Sequence, residues 1–301
     1  MRGKIVIAGA VTGLLGIVLA GFVVVSLLVS AESEGAGTIT VLMDFDWIRQ
    51  GEVGVVRVIG EDIAEVRGVF QDRLYVFYPQ GNQYVGLISA DMESDVAPYN
   101  LQIQVKYIDG TADLVDQPID VTFGEFGSSE ITLTQSKVGL LADDIETAER
   151  ERLFNIMDRF TPDRYWEGGF LPPSDQPQLD WFGTYRRYNS TYWRQHTGID
   201  VQMAVGTGVR AIANGRVMLV EEMDIRGNYV LIDHGWGIYS GYAHLSDPLV
   251  VPGQWVRKEE IVGLSGNTGR SLGAHLHWEM VVGGVWIDPD DFMALSLDAV
   301  E

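Results

Sequence analysis

From about residue 38 onward the chain is written in short alternating or β-branched runs closed by turn-forming residues: TITVLMDF, GVVRVIG, RLYVFYP, YVGLIS, YNLQIQVKY, PIDVTF and EITL. Apolar side chains at a period of two bury one face of a strand, so the pattern leaves mainly β architectures open. Over residues 37–140 the number and spacing of these runs predict an immunoglobulin-like β-sandwich. The segments YPQGNQ and YIDGTAD supply turns for its hairpins. This stretch contains no histidine, and its acidic residues are spread over strands and turns. It reads as a spacer or as a docking module for a cell-envelope protein partner.

Residues 142–160, ADDIETAERERLFNIMDRF, break the strand pattern. Ile145, Leu153, Ile156, Met157 and Phe160 fall at near-helical spacing, with acidic residues early and basic ones late, which predicts a connecting helix. The following TPDRYWEGGFLPPSDQP mixes Pro, Gly and aromatics, so residues 141–179 form a helix and linker held against a domain surface. Strand patterns return over residues 180–301, with a glycine in nearly every turn. One of them, VVPGQWVRKEEIVGLSG, is similar to the half-repeat of biotinyl and lipoyl carrier domains. Lys258 does not occupy the exposed Asp-Lys turn of such carriers, so the likeness is one of barrel geometry.

The N-terminus bears on location. After MRGK comes an uncharged apolar run over residues 5–29, long enough to cross a hydrocarbon core of about 30 Å as a helix. Arg2 and Lys4 precede it and Glu32 and Glu34 follow it. The positive-inside rule then makes residues 1–36 a cytoplasmic stub and single-pass membrane anchor, with everything beyond it extracytoplasmic. A cleaved signal peptide ending at VSA, residues 29–31, is the competing reading. With no cysteine there is no disulfide, thiolate metal site or cysteine nucleophile. A formal net charge of -21 argues against nucleic acid as a partner.

All five histidines, His196, His234, His244, His275 and His277, lie within residues 180–301, and the first 195 residues have none. In a strand, residues two apart project from one face about 6.5–7 Å apart, so His275 and His277 of GAHLHWEM address one small space. Such a pair serves packing poorly, because each buried imidazole needs hydrogen-bond partners, and serves a metal or a proton relay well. In HTGID, His196 and Asp200 are four apart around Gly198, which implies a glycine-permitted bend bringing them together. His, Asp and His make three N/O ligands, the number that a catalytic zinc site typically takes from protein, leaving a position for water. The ligand types also admit Mn²⁺, Co²⁺ or Fe²⁺.

HTGID, GYAHLS and GAHLHWE, in this order, resemble the M23 peptidases, the LytM or lysostaphin-type zinc endopeptidases. The likeness extends to FGTYRRYN, GVRAIANGRV, GNYVLIDHGWG and GLSGNTGRSLG, and covers about the last 135 residues. It implies a LytM-type β-sheet or half-barrel metallopeptidase domain over residues 180–301. One Zn²⁺ per chain would be bound by His196, Asp200 and His277, with His244 and His275 as the catalytic histidines that orient and deprotonate the attacking water. The implied substrate is the peptide of peptidoglycan stems or cross-bridges. The alternative is a non-catalytic LytM-like regulator of a cell-wall hydrolase or division partner; members of that kind typically lose ligands, whereas all five positions are present here. His234 reads as a structural turn histidine, Trp278 as core, and Glu279 as a residue behind the site, with orientation of a ligand histidine as its alternative role. Tyr188, Tyr192 and Tyr242 are candidates to donate to an oxyanion. Residues 161–180 or the β-domain are expected to lie across the groove and hold it latent.

Overall fold

The computed structural model describes residues 27–31 and 39–297. The anchor expected over residues 1–36 lies outside these, except for Leu27–Ala31. Those five residues are a strand, not the end of a helix, because Ile39–Met43 takes up their backbone hydrogen bonds in antiparallel register. Among the described residues no helix is long and apolar enough to cross a membrane.

Two five-stranded sheets make up the first β unit. One runs Leu27–Ala31, Ile39–Met43, Val53–Ile59, Gln83–Ser89 and Tyr78–Gln80; the other runs Trp47–Arg49, Ala112–Thr122, Pro98–Tyr107, Ile63–Phe70 and Arg73–Val76. Alternation explains the second sheet. Leu101, Ile103 and Val105 point inward while the residues between them are exposed, and Val115, Ile119 and Val121 do the same on the neighbouring strand. The inward faces meet in a core that includes Val56, Val58, Phe70 and Ile88.

Val53–Ile59 is different, since six of its seven residues are buried. Its other face, with Val85 and Leu87 of the adjacent strand, belongs to the core of the second unit. The segment EITL, expected among the first-unit strands, leaves that unit: Ser128–Ile131 pairs in parallel with Tyr185–Tyr188. The connecting helix spans Asp143–Met157, with Asp143, Asp144 and Glu146 in its first turn and Leu153 and Met157 buried; Phe160 lies beyond its end.

The second unit is built on a ten-stranded sheet. Gln178–Asp180, Ile199–Val201, Leu276–Val282, Ile238–Pro248, Gly227–Gly235, Gly215–Met223 and Trp255–Val256 follow one another across it, and Ile261–Ser265 branches from the end of Ile238–Pro248. Its central strands are buried on both faces, which fits their continuous apolar runs. In this order Asp200 pairs with His277, and His277 pairs with Ala243, next to His244. Three segments distant in sequence thus deliver their polar side chains to one end of the sheet.

Candidate active site

His196 follows the strand Tyr192–Gln195, and Asp200 lies in Ile199–Val201. The two meet across Gly198, but not through a left-handed backbone, since the Gly198 φ lies outside that region. A Cβ at Gly198 would stand 2.2 Å from the Trp278 carbonyl oxygen. Glycine is required there because the chain must pass directly over the neighbouring strand.

His196 Nε2, Asp200 Oδ1 and His277 Nδ1 form a nearly equilateral triangle, with separations of 3.0, 3.0 and 2.9 Å, and all three residues are buried. The outer atoms of the rings fix what these vertices are. His196 Nδ1 lies 2.8 Å from the Trp181 carbonyl, which only accepts, so that nitrogen carries the hydrogen. His277 Nε2 lies 3.2 Å from Glu279 Oε1, which likewise accepts from it. With neutral rings, the vertices are two bare imidazole nitrogens and a carboxylate oxygen, three acceptors facing one another with no hydrogen between them. A cation at their centre relieves that arrangement, and the donor set fits a metal ion bound by N and O ligands.

The electrostatics agree. Burial by itself would raise the Asp200 carboxyl, but the His196 ring and the Arg186 guanidinium beside it hold it well below the usual carboxylate range. Burial and Arg186 push His196 down to about 4, so its ring is neutral at neutral pH. His277 moves upward, because its contacts with Asp200 and Glu279 outweigh burial.

His244 and His275 stand beside the triangle with ring centroids 4.7 Å apart. Each is oriented by its Nδ1–H, given to the Thr268 carbonyl at 2.8 Å and to the Gly273 carbonyl at 2.8 Å, which leaves Nε2 bare. His275 Nε2 is 3.6 Å from Asp200 Oδ1. Burial lowers both rings, most strongly His244, where the neighbouring histidines add to the effect. His244 also adopts φ 60°, a sparsely populated conformation for a residue with a side chain, fixed by a 2.7 Å hydrogen bond from its N–H to the Arg226 carbonyl.

Several surrounding residues were not singled out in the sequence. Arg186, one residue of FGTYRRYN, donates to Asp200 Oδ2 at 2.5 Å and to Asp180, so Oδ1 stays directed at the triangle. Arg226 grips the fully buried Glu279 through Nη2 at 2.7 Å and Nε at 3.1 Å, and Tyr229 and Thr197 donate to the same carboxylate. Glu279 is held well ionised: burial would raise it, and Arg226 overrides burial. The only sequence signal for this group was the expectation that a ligand histidine needs an acceptor.

A groove of about 580 Å³ runs past Asp200, His244 and His275. One face carries Ser129, Ile131 and Leu133 with Thr184, Arg186 and Tyr188, and the opposite side residues 270–274. Residues 161–180 contribute only Leu179 and Asp180 to it; Tyr165, Leu171 and Pro173 bond instead to His234, Ile212 and Arg210. The wall therefore comes from residues 127–133. Of the three tyrosines, Tyr188 lines the groove, Tyr192 is exposed, and Tyr242 is buried with its hydroxyl bonded to the Ile212 N–H. His234 is buried in Gly227–Gly235, between the Asn214 carbonyl and Ser240 Oγ, apart from the other four histidines.

Comparison with known proteins gives a concordant picture. Residues 194–289 match Peptidase family M23. An 89-residue stretch is 45% identical to the peptidoglycan DD-endopeptidase ShyA of Vibrio cholerae, covering 30% of this chain and 21% of that one. A 97-residue stretch is 43% identical to the DD-carboxypeptidase/endopeptidase Mpg of Neisseria meningitidis, covering 32% and 22%. The chain thus spans about a fifth of the length of these relatives. The crystal structure of a putative peptidase M23 from Pseudomonas aeruginosa shares the fold over 81% of this chain and 94% of that one, with a TM-score of 0.60 at 23% identity.

Proposed function

We propose, from the match of residues 194–289 to Peptidase family M23 and from the site geometry, that the protein is a zinc-dependent endopeptidase that hydrolyses peptide bonds in peptidoglycan stems or cross-bridges. One observation carries the reading: three bare acceptors converge, and two further imidazoles with bare Nε2 atoms flank them at the floor of an open groove. The relatives named as DD-endopeptidases support the substrate class.

His196, Asp200 and His277 would hold the metal, and Asp200 would offset part of its charge. When bound, zinc supplies a Lewis acid that polarises a carbonyl and acidifies water toward neutrality. His244 and His275 are neutral at pH 7, so each can take a proton from the attacking water and return it to the leaving nitrogen. Their fixed Nδ1–H bonds keep both Nε2 atoms toward the groove. Exposed Leu179, Trp181 and Leu272 give the groove apolar flanks along which an extended peptide lies.

The reading extends to location. Residues 5–26, uncharged and preceded by Arg2 and Lys4, meet the length of about 20 residues needed for a single-pass anchor, which would place the catalytic unit outside the cytoplasm. The first unit is read as immunoglobulin-like, and its two five-stranded, mostly antiparallel sheets with inward faces sharing one core support that.

The test is incubation of the zinc-loaded protein with purified peptidoglycan, followed by mass analysis of the released peptides, beside a His277→Ala control. We expect muropeptides from the parent only. Equal release by both proteins, or none from the zinc-loaded parent, overturns the reading.

A further inference from the structure

The helix Asp143–Met157 lies outside the region matched to the peptidase family, yet one of its side chains reaches into the network behind the site. Glu149 is 7% exposed. Its Oε2 accepts from Arg226 Nη1 at 3.2 Å, and its Oε1 accepts the Ile225 N–H at 2.6 Å. Arg226 in turn holds both oxygens of Glu279, and Glu279 Oε1 accepts from His277. The carbonyl of Arg226 also fixes the strained backbone of His244. One residue of the second unit thus orients His277 and His244 together, and the helix holds that residue from behind.

We infer that Glu149 is a positioning residue for the metal centre, acting through Arg226 and Glu279 on His277. The inference rests on the metal-centre reading above. Arg226 is always charged and lies 6% exposed, so every guanidinium N–H left without an acceptor is costly. Glu149 and Glu279 approach it from opposite sides. Without the Glu149 charge, the guanidinium is neutralised by Glu279 alone, and Nη1 loses its acceptor. Glu279 then gives less electron density to the His277 N–H, and His277 becomes a weaker ligand. Docking of the helix does not depend on Glu149 alone. Arg194 pairs with Asp143 and Glu146, Arg270 with Glu146, and Arg152 with Glu221 on the surface. Loss of Glu149 therefore disturbs the network while the helix stays in place.

The experiment uses the full chain with Glu149→Gln, Glu149→Ala and the control Glu221→Ala, which removes an exposed ion pair to the same helix and no side-chain hydrogen bond of the network. Gln keeps an acceptor for the Ile225 N–H, so it preserves that bond where Ala does not. Zinc affinity is read by competition with a chromogenic chelator, ligand geometry by the visible spectrum of the Co²⁺-loaded protein, and integrity by thermal unfolding of the metal-free form. We expect Glu149→Gln to weaken zinc binding by about tenfold, the lower end of the effect of partners behind a ligand, and to alter the Co²⁺ spectrum. Glu221→Ala should leave both unchanged, with metal-free midpoints alike. Zinc affinity of Glu149→Gln within about twofold of the parent, an equal loss in Glu221→Ala, or a loss seen only with unfolding of the metal-free chain overturns the inference. A parent that takes up no zinc overturns the metal-centre reading itself. That outcome is distinct from a parent that binds zinc and is indifferent to residue 149.

Discussion

At the scale of single residues, what separates His234 from the other four histidines is the absence of a second imidazole or a carboxylate beside it. It is fully buried, with Nδ1–H given to the Asn214 carbonyl, and burial pushes it down to about 4 despite that bond. The folded chain therefore refuses a proton that the unfolded chain accepts at about 6.5. Its contribution is fully present above pH 6.5 and declines as pH falls from there toward 4, by about 3 kcal/mol in all. Urea unfolding of the metal-free protein at a series of pH values should show that loss, and His234→Gln should flatten the difference across this window. A variant as acid-sensitive as the parent would mean that other groups set the acid limit. The five histidines were legible in the sequence because imidazole is scarce and clustered. Arg186 and Arg226 were not, because an arginine in a strand-rich stretch looks like a solvated residue until the fold puts a carboxylate opposite it.

Among elements, the strand pair Ile199–Val201 and Leu276–Val282 fixes the geometry of the converging acceptors, because its register sets Asp200 opposite His277. Gly198 governs how closely the two approach. The atom that an added methyl would meet is the Trp278 carbonyl oxygen, at 2.2 Å, and backbone in mid-sheet cannot swing aside as a side chain does. Gly198→Ala should therefore cost about 1–3 kcal/mol by overpacking, and should also weaken metal binding by shifting Asp200 away from His277. The urea midpoint and chelator competition measure the two effects separately; stability lost with metal affinity intact would show that the strand recovers its register. The sequence conveyed this pairing only in part, since HTGID and HLH stood out but their opposition did not. Strand reading failed where a glycine interrupts the alternation. IAEVRGVF is a strand with Val66, Gly68 and Phe70 inward, but Gly68, packed against Leu101 and Phe77, removes the apolar signal at its centre. EITL was legible as a strand but not as to its partner, because pairing over more than 50 residues is not written in local pattern.

For the molecule as a whole, the consequence of the strand Val53–Ile59 is that the two units share a core. Val53, Val55, Val85 and Leu87 pack with the second unit, Tyr78 stacks on Trp236 at 5.0 Å, and Ser89 Oγ donates to the Val282 carbonyl at 2.9 Å. Period-two alternation predicts one buried face per strand, so a strand buried on both was invisible as an interface. A shared apolar core makes separate unfolding expensive, because opening either unit exposes residues of both. Ligand binding then stabilises everything that unfolds together with the site. Zinc at a thousandfold excess over its dissociation constant should add about 4 kcal/mol to that cooperative unit. Hydrogen exchange should accordingly slow in Val53–Ile59 and Gln83–Ser89 as much as in Leu276–Val282, although the first two strands contribute none of the five site residues. Protection confined to the second unit would show that the interface opens first.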